Sequence, residues 1–220
     1  MAAAEEGVDY DRVQSADLET VGHSLIRFNE ALAARRLVID DSANMTVPRL
    51  RARLKRFKRR VGGLDLVVID YLQLLRPAGK GHSRYEQVSD ISRDLKVLAT
   101  ELGVPVVCLS QLSRDIESRP DKRPMLSDLR DSGSLEQDAN VVLLLYREVA
   151  YNESCAHPEI AELNIAKLRH GKTGIIPLIT QFQHQRFLTP QRGSLPSNWR
   201  HSKVSLSHQP RTSRPDYAGI

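Results

Sequence analysis

Aromatic residues are scarce, at 5% of a 220-residue chain. There are only two cysteines, Cys108 and Cys155, and they lie far apart. That excludes a disulfide-stapled scaffold and reads as a reduced, cytoplasmic chain. No apolar run, the stretch from Val141 to Tyr146 included, approaches the roughly 20 residues of a membrane helix. Met1 is followed by Ala-Ala-Ala-Glu-Glu, with neither a basic nor an apolar leader region, so neither a signal peptide nor a membrane role is expected. Glycine and proline, at 12 and 11 residues, are too few for a collagen-like or low-complexity chain.

What is present is ordinary globular composition: 40% hydrophobic and 27% charged residues, enough for one sizeable α/β domain or two small ones. The net charge of +5 is unevenly placed. Residues 191–220 hold five cations (Arg192, Arg200, Lys203, Arg211, Arg214) and one acid, Asp216, which leaves +1 for the rest. The basicity is therefore mostly a property of the tail. That tail is rich in Ser and Pro and has no periodicity, so residues 190–220 read as disordered.

Apolar residues at Leu18, Val21, Leu25, Phe28 and Leu32 predict a helix, with Ser15 as candidate N-cap. Residues 37–41 read as a short buried strand. A second helix begins near Thr46, carries Leu50, Leu54, Phe57 and Val61 on one face, and stops at Gly62-Gly63. A third starts at Ser83, where Ser83 and Glu86 form a capping-box pattern, and shows Val88, Ile91, Leu95, Leu98 and Leu102 before Gly103. Near-continuous apolar runs at 64–72, 104–110, 140–146 and 162–169 predict buried strands, and 174–180 with 186–188 a closing hairpin. Apolar strands alternating with helices indicate an α/β fold with a mostly parallel sheet, whose chemistry gathers at the strands' carboxyl ends.

Those ends hold Asp70, Gln111, Lys167 and Arg169. A strand delivering one carboxylate fits a Walker B element, in which Asp70 holds Mg²⁺ opposite nucleotide phosphates; an acid beginning a turn or cap fits equally well. Gln111 can sense a γ-phosphate or cap a loop. Lys167 and Arg169 share strand parity with Leu163 and Ile165 and suit phosphate capture, or are two solvated cations. Arg130-Asp131-Ser-Gly133 offers small residues and charge for a phosphate backbone, or is an ordinary connection. Residues 49–60 carry eight cations and no acid, which suits either nucleic acid or the wet side of an amphipathic helix.

Residues 166–173, Ala-Lys-Leu-Arg-His-Gly-Lys-Thr, nearly match a phosphate loop, but that mechanism needs a following helix. Gly174-Ile-Ile-Pro177 favours a strand instead. No other candidate loop occurs in the chain.

The succession Val-Val-Ile-Asp70-Tyr-Leu-Gln-Leu-Leu, Val104-Pro-Val-Val-Cys-Leu-Ser-Gln111-Leu-Ser-Arg, Ser127-Asp-Leu-Arg-Asp-Ser-Gly-Ser-Leu-Glu-Gln-Asp138-Ala and Lys167-Leu-Arg169-His-Gly-Lys-Thr-Gly174 resembles the bacterial replicative helicase family DnaB, over roughly residues 7–188. The resemblance implies a RecA-like, three-layer α/β/α motor domain at residues 1–189. Such motors assemble as a ring hexamer of identical subunits around single-stranded DNA and bind ATP between subunits. It implies that Asp70 is the Walker B acid at Mg²⁺, through water, and that Gln111 is the γ-phosphate sensor. Arg169 would be the arginine finger on the neighbour's ATP, with Lys167 beside it. Arg130, Asp131 and Gly133 would form the loop that tracks DNA; Asp131 stands where the family usually has Glu. Primase and a helicase loader are implied as partners. The family's phosphate loop, catalytic Glu, helical collar and linker precede the point matched by residue 1, so the N-terminal part of the domain is expected to be missing and the chain alone inactive. A non-catalytic module docking on complete subunits through the Lys167 and Arg169 face is the alternative; an inert product has no distinctive mark.

Overall fold

The computed structural model describes residues 1–199 except 16, 35–36, 78–82, 192 and 197–198. The tail expectation for residues 190–220 thus lies mostly outside the described residues. Six α-helices are described: α1 (Ala2–Glu6), α2 (Tyr10–Gln14), α3 (Leu18–Ala34), α4 (Val47–Val61), α5 (Arg84–Leu102) and α6 (Gly133–Asp138). The strands are β1 (Val67–Ile69), β2 (Val106–Cys108), β3 (Val141–Arg147), β4 (Ile160–Leu168), β5 (Gly174–Gln181) and β6 (Arg186–Leu188).

The long helices form where capping and apolar spacing agree. In α4 the Thr46 side chain accepts the Arg49 N–H, Pro48 occupies the first turn, and Gly62 ends the helix at φ 79°. In α5 Ser83 and Glu86 form the reciprocal capping box, and Gly103 closes the helix at φ 65°. Val88, Ile91, Leu95, Leu98 and Leu102 are all buried, joined by Val47, Val67, Ile69, Leu72, Leu75 and Val104 in the main core. Burying each such side chain contributes about 1.5–3 kcal/mol. A smaller core of Leu129, Val142 and Leu144, with Leu112, Leu126, Ala139 and Ala166, lies beneath β3.

β1 and β2 pair in parallel, Ile69 opposite Cys108. The other strands form an antiparallel sheet in the order β3-β4-β5-β6. The expectation of a mostly parallel sheet is therefore corrected. A parallel neighbour needs a crossover of a dozen or more residues, usually a helix; the short turns at 169–173 and 182–185 return the chain antiparallel. Apolar outer faces remain bare: Val68 and Val107 are 58% and 50% exposed, and Val141, Leu143 and Leu145 are exposed too.

Two further expectations are corrected. Residues 37–41 form no strand; Leu37, Val38 and Ile39 are exposed, with no neighbouring strand among the described residues to satisfy their backbone. Instead the Asp40 carboxylate accepts the Ser42 N–H at 3.1 Å and pairs with Arg53. Ser15 does not cap α3 but ends α2, its N–H bonded to the Asp11 carbonyl. Four of the eight cations of α4, Arg51, Arg53, Lys55 and Lys58, are held by local ion pairs or hydrogen bonds. Arg51 and Lys55 flank Glu101, and Lys58 donates to the Leu102 carbonyl at 2.7 Å, capping the end of α5. These pairings favour the solvated-face reading of the basic run.

Candidate functional site

The parallel register of β1 and β2 sets Asp70 and Gln111 at the same end of the same sheet. The Leu109 N–H donates to the Ile69 carbonyl at 2.9 Å, and the Leu72 N–H returns to the Leu109 carbonyl at 2.9 Å. Leu72, fully buried, anchors the chain leaving Asp70. Asp70 itself is exposed and makes no ion pair with a described residue.

Gln73, not singled out by sequence reasoning, joins the two strand ends. Its Nε2 donates to Ser110 Oγ at 3.1 Å, and its Oε1 accepts the Gln111 N–H at 3.4 Å. It lies in the short helix Leu72–Leu74, inside the Asp70 motif; its polarity amid apolar neighbours was the available signal. Gln73, Gln111, Arg84, Asp128 and Leu129 line one small cavity. Asp128, only 6% exposed, accepts the Met125 N–H and the Arg119 guanidinium, both at 2.7 Å. It thereby fixes the start of the 3-10 helix Leu126–Ser132, which carries Arg130 and Asp131. The side chains of Arg130 and Asp131 lie outside the described part. Gly133 begins α6 directly after them.

Lys167 is not where strand parity puts it. The register changes between Val142, opposite Lys167, and Leu143, opposite Ile165. This bulge turns Lys167 onto the buried face of β3, away from Leu163 and Ile165. Its ammonium donates to the carbonyls of Glu136 and Gln137 at the end of α6. Arg169 follows β4, its N–H bonded to the Asn140 carbonyl at 2.9 Å, and its exposed guanidinium has no partner among the described residues. No hydrogen bond or ion pair among the described residues joins Asp70 or Gln111 to Lys167 or Arg169. The near-match at 166–173 leads into β5 and not a helix, which removes it as a phosphate loop.

Residues 1–189 match the model of the DnaB-like helicase C-terminal domain. The chain belongs to that family. It is 48% identical over 151 residues to the replicative DNA helicase DnaB of Pasteurella multocida, covering 69% of this chain and 32% of that one. It is 48% identical over 175 residues to DnaB of Leifsonia xyli, covering 80% and 37%. The chain thus spans about a third of these relatives. This DnaB-like domain also superposes on a solved ATPase domain with a TM-score of 0.82 and 38% identity, over 86% of this chain and 68% of that one. A DnaB-like replicative helicase described with its primase interactions gives 0.81 and 38%, over 86% and 47%. The RecA-like α/β assignment follows from these neighbours.

As for a metal, no group of three or more His, Cys, Asp or Glu side chains gathers among the described residues. The single exposed carboxylate of Asp70 fits a Mg²⁺ ion held mainly by phosphate and water.

Proposed function

We propose that this domain serves ATP-dependent unwinding or translocation on DNA during replication, as part of the C-terminal motor of a replicative helicase. The observation that carries the reading is the pairing of β1 with β2, which sets an exposed carboxylate beside an amide where an α/β sheet does its chemistry. In this reading Asp70 holds water-bridged Mg²⁺, which neutralises phosphate charge on ATP. Gln111, steadied by Gln73, meets the γ-phosphate; Arg169 reaches the neighbouring subunit's nucleotide, with Lys167 behind it. Arg130, Asp131 and Gly133 meet the DNA backbone. A ring hexamer, single-stranded DNA, primase, a loader and a cytoplasmic setting belong to the same reading.

The 220 residues hold no phosphate loop, whose backbone N–H groups and Lys normally cradle the nucleotide. On this reading, the purified chain does not hydrolyse ATP alone. Turnover with single-stranded DNA that vanishes in Asp70→Ala would contradict that. The exposed, unpartnered guanidinium of Arg169 favours a second reading, docking on a complete subunit. Added to the intact helicase of Geobacillus stearothermophilus, a relative 46% identical over 157 residues, the chain should alter ATPase activity at less than one copy per ring. Arg169→Ala should abolish the effect; no effect from either chain would overturn docking.

A further inference from the structure

We infer that Tyr85 is a base-stacking platform and Arg84 a phosphate contact, together flanking the Arg130–Gly133 segment, so that this domain grips the bases of single-stranded nucleic acid as well as its backbone. The inference rests on the DNA reading above and deepens it. Aromatic rings are scarce in this chain, and Tyr85, 53% exposed, is the most exposed aromatic residue among the described residues. The other strongly exposed rings mostly have partners. Tyr151 stacks on Tyr146 at 5.9 Å, and Phe182 and Phe187 meet edge to face at 6.5 Å. Tyr85 has no ring or cation contact among the described residues.

Position gives the exposure its meaning. The Tyr85 hydroxyl lies 3.6 Å from where a Cβ on Gly133 would sit. Its predecessor Arg84 lines the small cavity with Gln111, Asp128 and Leu129, and its exposed guanidinium has no hydrogen-bond or ion-pair partner among the described residues. Successive helix residues point about 100° apart, so one side chain reaches the start of the 126–133 segment and the other its end. The capping box at Ser83 holds both on a fixed first turn. A solvent-facing ring with a cation beside it is the arrangement that binds single strands without sequence preference, because every base has a π-face.

The test compares the intact chain's affinity for a labelled oligothymidylate and for the same strand built with abasic sites, by fluorescence anisotropy at low salt. Stacking predicts weaker binding to the abasic strand. Tyr85→Ala should lose about 5- to 100-fold on oligothymidylate and little on the abasic strand, with Tyr85→Trp restoring the difference. Arg84→Ala should weaken both strands and reduce the salt slope by about 0.7. Wild-type affinity indifferent to the bases, or Tyr85→Ala weakening both strands alike, would overturn stacking while leaving the DNA reading in place. No binding to either strand would overturn both.

Discussion

The ammonium of Lys167 caps α6 by bonding the carbonyl of Glu136, thirty-one residues earlier in the chain. The same cation that sequence reasoning assigns to a phosphate is thus held at the carboxyl end of the helix that continues the Arg130–Gly133 segment. A cation there satisfies orphan carbonyls and complements the helix dipole. Lys167→Met keeps the stem and removes the charge. It should loosen the end of α6 by about 1 kcal/mol, since the group is partly exposed. Hydrogen exchange at the Ala139 amide, which bonds the Leu135 carbonyl, reads this directly; unchanged protection would show the cap to be idle.

Adjacent residues of α5 should respond in opposite ways. Leu98 is fully buried whereas Val97 is 50% exposed. Leu98→Ala should cost about 2–5 kcal/mol in urea unfolding, through lost burial and a cavity. Val97→Ala should stay within about 0.5 kcal/mol. Equal effects would place α5 in the wrong rotation.

Burial pushes the Cys108 thiol up from 9.0 to about 11. At pH 8 its thiolate fraction should be about 100-fold below that of an unperturbed cysteine, and alkylation slow to match. Mass-spectrometric labelling in the folded chain measures this. Modification of Cys108 at the rate of a free thiol would contradict its burial.

Asp40 is held at about 2, below its ordinary 3.8, chiefly by the Ser42 side chain and then by Arg53. A depressed carboxyl contributes stability that is complete above the unfolded value and lost as pH falls through the folded one. The contribution should therefore be full above about pH 5 and gone by about pH 1. Carboxyl NMR should place the midpoint near 2, and Ser42→Ala should move it toward 3.8. A midpoint unmoved by that change would remove Ser42 as the cause.

Helices α4 and α5 were legible to within about a residue at each end because caps, apolar spacing and terminal glycines are local signals. The apolar runs of β1 to β5 were legible as strands for the same reason, and so was the closing hairpin. Partners were not: an apolar run states that it is buried, not which strand lies beside it. Hence β3 and β4 were expected in a mostly parallel sheet, and residues 37–41 were expected to pair at all. The role of Gln73 is not local: it lies in reaching Ser110 and Gln111, 37 and 38 residues away.

Local order, down to the cap of each long helix, follows from this chain's own succession of side chains, because neighbours within four residues decide it. The succession of motifs was also enough to indicate the family. Three-dimensional packing alone decided that the chain leaving Asp70 is tied to Gln111 through Gln73, that a bulge opposite Val142 turns Lys167 toward α6, and that Tyr85 stands beside Gly133. Those are contacts between distant stretches, and a one-residue change of register, invisible in the order of residues, reverses the face on which a side chain emerges.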